Sequence, residues 1–177
     1  MRSLTDEELI IIYQKDKDGR GQMALDHLYS RYAAKMLNYF YFTLHSDIDI
    51  AKDFVQDLFI RIIDNHHKFD PDQQFKAWIF TMASNMCKNE FRSQKVVRKY
   101  KNHILSASEP VVREIETDSE LRKAINKLSQ EQRSMVVLRF KMKLTIKEMA
   151  EIYNCPEGTI KSRLFYTIQE LSKFYKI

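Results

Sequence analysis

The chain has 177 residues, with 29 Lys or Arg against 24 Asp or Glu and a formal charge of +5 at pH 7, enough for one domain or two small ones, each with a modest core. Only three Gly and three Pro, in a sequence rich in Leu, Ile, Lys, Glu and Met, count against sheet-and-turn architectures and point to a nearly all-α protein. Cys87 and Cys155 are too few and too far apart for a disulfide framework or a zinc site, and charges interrupt every apolar run short of a membrane span, so a soluble, cytoplasmic protein without signal peptide or membrane insertion is expected.

In chain order, Thr5 and Glu8 form a capping box that opens a first helix with Leu9, Ile10, Ile12 and Tyr13 as its apolar positions. The polar run KDKDGRGQ ends it. A second helix is predicted over residues 23–42, where Ala24, Leu25, Leu28, Tyr29, Tyr32, Met36 and Tyr39 recur at helical spacing as a core stripe. A third, over residues 49–65, is two-faced: Phe54, Val55, Leu58, Phe59 and Ile62 lie together, with Asp49, Asp53, Gln56 and Asp57 opposite. His45, His66 and His67 lie nearby, but no HExxH or comparable ligand spacing occurs, so no metal is expected. The acidic face reads as a solvated surface or as a docking surface for a partner protein.

Asp70, Pro71 and Asp72 make a turn before a fourth helix over residues 73–94. Phe75, Trp78, Ile79, Met82, Ala83 and Met86 form its apolar side, and Asn85, Lys88, Asn89 and Arg92 its remaining surface. Aromatic rings beside amides and cations suit single-stranded nucleic acid, in which unstacked bases lie on rings and charges follow phosphates. Core packing of Phe75 and Trp78 with solvent-facing amides is the alternative. Residues 95–116 break the pattern, with Ser106, Ser108 and Pro110, and read as a flexible linker.

Beyond it, Thr117 and Glu120 open a helix with Leu121, Ala124, Ile125 and Leu128 inward, and Ser129 and Gln132 open another that carries Met135, Val136, Leu138 and Phe140. Thr145 and Glu148 then cap a short helix with Ile146, Met149, Ala150 and Ile152 as its apolar face, and Asn154, Cys155 and Pro156 stop it. A last helix starts near Pro156 and is expected to bury Ile160, Leu164, Ile168 and Leu171, leaving Thr159, Lys161, Ser162, Arg163 and Tyr166 outward. Two short helices joined by a tight turn make a helix-turn-helix, whose second helix could enter a DNA major groove. Packed helices with solvated charges are the alternative. Charge distribution favours DNA: residues 117–177 hold twelve Lys or Arg against seven Asp or Glu, and residues 1–93 hold twelve against fourteen.

The ordered set AKDFVQDLFIRI, FKAWIFTMASNMCKNEFR, a linker, LSQEQRSMVVLRF, LTIKEMAEIYNC and PEGTIKSRLFYTIQEL resembles the extracytoplasmic-function sigma factors of bacterial RNA polymerase, in the sigma-70 family. The resemblance spans nearly the whole chain. It implies two small helical domains, residues 1–94 and 117–177, joined by the linker at 95–116. It further implies a promoter-specificity subunit with no active site, metal or cofactor of its own. Asp53, Gln56 and Asp57 would meet the clamp of core polymerase. Residues 69–75, including Phe75, would form the loop that captures a base of the minus-ten element, with Asn85, Lys88, Asn89 and Arg92 along its strand. Thr159, Lys161, Ser162, Arg163, Phe165 and Tyr166 would read the minus-thirty-five duplex. Tyr166 departs from the family pattern, where many members carry a basic residue. An anti-sigma factor is the further implied partner. Two other classes fit parts of the chain: a regulator with a sensory or dimerisation domain ahead of its helix-turn-helix, and an interaction module for an acidic partner. Neither explains FKAWIFTMASNMCKNEFR.

Overall fold

The computed structural model describes residues 3–16, 19–44, 47–100 and 119–175, and all regular structure among them is helical. Side chains of the long central helix are described to residue 93, and the Thr117 cap and linker residues 101–116 fall outside the described residues.

Local side-chain caps set four of the eight α-helix starts among the described residues. The Thr5–Glu8 capping box opens α1 (Asp6–Gln14), and α2 (Gly21–Leu44) extends two residues past each predicted end. Asp47 caps α3 (Ile48–Asn65), which passes through a single turn of 3₁₀ helix at His66–Lys68. The fourth helix, α4 (Phe75–Tyr100), continues through the first residues of the expected linker. In the C-terminal half come α5 (Ser119–Lys127), α6 (Gln130–Val136) behind the Ser129–Gln132 box, α7 (Ile146–Tyr153) behind the Thr145–Glu148 box, and α8 (Glu157–Ser172). After α6 the coil widens into a π-type turn at Val137–Lys141, closed by Met142 N–H donating to the Val137 carbonyl at 2.9 Å. Asn154 terminates α7 in the left-handed region at φ 48°, where a short polar side chain is better tolerated than most.

The antiparallel pair α2 and α3 buries Leu28, Met36, Tyr39 and Phe40 against Val55, Leu58 and Ile62. Across it runs α4, burying Phe75, Ile79, Phe80 and Ala83. Three expectations change. Tyr29 is 47% exposed and lies with its ring 4.7 Å from Phe59 at the lip of the core stripe. Phe140 is exposed because the π-type turn rotates it outward. Ile168 is 40% exposed, and Thr167 takes its inward position, satisfied by donating its hydroxyl to the Arg163 carbonyl at 2.8 Å.

One apolar cluster runs through both halves, and a smaller one, Ile125, Leu128 and Val136, lies within the C-terminal half. Met135, Leu138, Leu144, Met149 and Ile152 belong to the same apolar cluster as the N-terminal helices. Polar contacts fasten the seam. The hydroxyl of Tyr39, fully buried in α2, lies 3.0 Å from Ser134 Oγ of α6, which also accepts from Tyr153 of α7 at 3.1 Å. Burial pushes the Tyr153 hydroxyl up to about 12, so it stays protonated as the donor. Arg133 donates to the Asn126 carbonyl at 3.0 Å and to the Thr43 carbonyl at 3.4 Å, where the last turn of α2 presents unpaired acceptors and the negative end of the helix dipole. Lys76, on the first turn of α4, pairs with Glu148 at 2.7 Å.

Candidate nucleic-acid interface

Two surfaces stand apart from the core. The first lies where the end of α3 meets the middle of α4. A cavity of about 270 Å³ is lined by Arg61, Asn65 and Lys68 from the α3 end and by Trp78, Met82, Asn85, Met86 and Asn89 from α4. On α4 these last positions follow a helical stripe, four then three residues apart, so one face carries them all. The cavity is smaller than the roughly 300 Å³ at which drug-sized sites begin, and it pairs an aromatic wall with two exposed amides and two cations. That combination accepts a planar ring by stacking and its edge by hydrogen bonds, with anionic groups along the rim.

Its floor is packed. Trp78 is half-buried against Phe69 and Phe75, with ring centroids 5.3 and 5.9 Å away, and Phe69 and Phe75 are themselves 5.9 Å apart. Phe75 has no exposed surface. The expectation that it contacts a strand is therefore corrected: its ring is the support on which Trp78 rests. The preceding turn is tied down from α1, because Gln14 donates to the carbonyls of His66 and Phe69 at 2.6 and 3.0 Å. Glu7 Oε1 accepts the Phe75 N–H at 2.9 Å and so caps α4 from a distance. Asp70 closes the turn itself, accepting from the backbone N–H of Asp72 through its carboxylate and of Gln73 through its carbonyl.

The four polar residues of α4, at i, i+3, i+4 and i+7, share one helix face but line two different clefts. Asn85 and Asn89 are exposed and line the cavity beside Trp78. Lys88 and Arg92 line a second cleft of about 250 Å³, on the seam with α6 and α7, together with Cys87, Glu131, Ser134 and Tyr153. One residue of offset turns a helix by about 100°, which separates Lys88 from Asn89. The Lys88 ammonium sits 5.4 Å from the Tyr153 ring centre, a cation held over an aromatic face. Cys87 is buried in this seam and burial raises its thiol well above the ordinary value, so it stays protonated and unreactive. Arg61, Asn65 and Lys68 had no role in the sequence reading. The cationic residues at the end of α3 were a signal that could have found them.

The second surface is the outer side of α8. Lys161, Ser162, Arg163, Phe165 and Tyr166 are exposed, and Thr159 is half-buried. Opposite them Ile160, Leu164 and Thr167 pack inward. Ser162 donates its hydroxyl to the Gly158 carbonyl at 3.0 Å. On α3, Asp53, Gln56 and Asp57 are exposed together, well away from the buried Val55 and Leu58. Among the described residues, no helix is long and apolar enough to cross a membrane.

Residues 28–97 match the family described as Sigma-70 region 2, and residues 124–173 match Sigma-70, region 4. The first span contains the cavity on α3 and α4; the second contains α7 and α8. Over 149 residues the chain is 28% identical to the ECF RNA polymerase sigma factor EcfG of Rhodopseudomonas palustris, covering 79% of each. It is 27% identical over 138 residues to the ECF RNA polymerase sigma factor SigW of Bacillus subtilis, covering 70% of this chain and 74% of that one. The sigma factor RpoE, solved in complex with the anti-sigma factor NepR from Bartonella quintana, superposes with a TM-score of 0.66 at 26% identity, over 80% of this chain and 90% of that one.

Proposed function

The chain belongs to the sigma-70 family as an RNA polymerase sigma factor of the extracytoplasmic-function type, and from that premise we propose how its surfaces divide the work of initiation. Residues 1–94 hold core polymerase and the melted minus-ten strand, and residues 117–177 read the minus-thirty-five duplex. Trp78, Asn85 and Asn89 receive an unstacked base, with Arg61 and Lys68 along its phosphates. The observation that carries this is the cavity itself: an aromatic wall, paired amides and a cationic rim on one packed floor. Unstacking costs a few kcal/mol per step, and stacking contributes about 1–3 kcal/mol per base, so one filled pocket offsets much of it.

Lys161, Arg163, Phe165 and Tyr166 contact the duplex, with Thr159 and Ser162 closer to the helix backbone. Asp53, Gln56 and Asp57 dock on the polymerase clamp. Lys88 and Arg92 join the strand when the seam to α6 and α7 parts. The protein acts in the cytoplasm as a binding subunit without an active site, and an anti-sigma factor is its expected antagonist.

Reconstituted transcription tests the reading. Core polymerase plus the chain should start promoter-specific RNA from a promoter library on which core alone does not; no difference would overturn it. Asn85→Ala should impair melting, followed by fluorescence of an unpaired-base reporter, by about tenfold, the loss of one stacked or hydrogen-bonded base contact, while duplex binding holds. Lys161→Ala should do the reverse. Equal loss in both assays would refute this division of labour.

A further inference from the structure

The two most exposed large apolar side chains among the described residues are neighbours on α8: Tyr166 at 66% and Phe165 at 57%. Their rings meet edge to face, 5.6 Å apart at 74°, so each restricts the other and together they present a stiff apolar edge. They belong to the outer stripe formed by Gly158, Lys161, Ser162, Phe165, Tyr166 and Gln169, all exposed and spaced three and four residues apart as one helix face requires.

Of the rest of that stripe, only Gln169, a turn beyond the ring pair, carries a group that can read a base edge through forked hydrogen bonds. Gly158 has no side chain, and a Cβ there would meet nothing within 4 Å. The Ser162 hydroxyl already donates to the Gly158 carbonyl. Lys161 is a point charge on a flexible stem, suited to phosphate more than to the paired acceptors of guanine. What remains at the centre is aromatic, flanked by the exposed cations Lys161 and Arg163. Flanking cations complement a duplex backbone, and the apolar group that a major groove displays is the C5 methyl of thymine.

We propose that Phe165 and Tyr166 form a paired aromatic reader that selects thymine by its methyl group in the duplex element bound by α8. The inference rests on the reading of α8 as the duplex-binding helix and adds the base it selects. The test uses the full chain in holoenzyme. Promoters selected from a randomised library should carry thymine in the upstream element. Replacing those thymines with deoxyuridine, which deletes only the methyl, should weaken holoenzyme binding by about fourfold per contacted methyl, the equivalent of one buried CH₂ group. Phe165→Ala with Tyr166→Ala should erase that difference. Tyr166→Phe should keep it, and Lys161→Ala should weaken thymine and uracil duplexes alike. Both rings lie on the surface, and thermal melting of each variant checks that the fold is intact. Equal binding of the two duplexes by the wild-type chain, discrimination surviving in the double variant, or an upstream element without thymine would overturn the proposal. Failure of the sigma reading would look different, with no promoter-specific start from any library member.

Discussion

At the residue scale, the seam between the halves carries two buried atoms without a hydrogen-bond partner among the described residues, Thr43 Oγ1 and Arg133 Nε. They sit close together, since Arg133 reaches the Thr43 carbonyl. A buried hydroxyl without a partner has lost its water and gained nothing in exchange. Thr43→Val keeps the shape and removes the orphan, so it should raise stability by up to about 1 kcal/mol, or about 2–4 °C in melting temperature for a chain of this size. A drop in melting temperature would mean that the hydroxyl has a partner after all. Residue roles of this kind were only partly legible beforehand. Phe75 and Trp78 look alike in sequence, both aromatic beside amides, yet one is fully buried and the other half-buried against it. Helical spacing gives a face, but depth within a face depends on what packs above it.

At the scale of elements, α4 serves two neighbours. Its Trp78, Asn85 and Asn89 edge looks onto the α3 end, and its Lys88 and Arg92 edge looks onto α6 and α7. The start of α4 is set from α1, through the Glu7 carboxylate on the Phe75 N–H, where a negative group also complements the helix dipole. Glu7→Ala removes a cap worth about 1 kcal/mol and loosens the turn at residues 69–75 that supports Trp78. Promoter melting by holoenzyme should fall several-fold while binding to the upstream duplex stays unchanged; a loss in both would mean that Glu7 acts only through global stability. The cap spans 68 residues of sequence, and no local pattern announces it. By contrast, the boxes at Thr5, Ser129 and Thr145 all formed as read, because donor and acceptor are three residues apart and answer to local geometry alone.

At the scale of the whole molecule, the halves are closed on each other, yet the two promoter elements are far apart. From minus ten to minus thirty-five is about 25 base pairs, or about 85 Å at 3.4 Å each, whereas a compact chain of this length has a radius of gyration of about 16 Å. On the proposed division of labour, the seam would have to part for both surfaces to engage one promoter. The Lys76–Glu148 pair is its most exposed polar fastening, with side-chain exposures of 37% and 16%. Burial opposes the charged Glu148 carboxylate, but hydrogen bonds from Lys76 and Thr145 outweigh it and hold its carboxyl below the ordinary 4.5. Its contribution to closure is present above pH 4.5 and is lost as pH falls through the depressed value. Fluorescence energy transfer between dyes on the two halves should report opening on acidification. Glu148→Gln, which keeps an acceptor for the Thr145 cap, should open the chain partly at neutral pH and flatten that acid-dependent step. An unchanged profile in the variant would remove Glu148 from the fastening.

Sequence alone determined the all-helical class, the order of the helices, most of their caps, the exposed acidic face of α3 and the outward side of α8. These follow from hydrogen bonds and periodicities that operate within three or four residues, and motif order added the family. Tertiary structure decided which edge of α4 meets which neighbour, that Phe75 is a support, that Arg61 and Lys68 join the amides, and that one core crosses both halves. Each of these depends on contacts such as Tyr39 with Ser134 or Lys76 with Glu148, 95 and 72 residues apart. A helix face specifies that something apolar must cover it, while the identity of the cover depends on the packing of the whole chain.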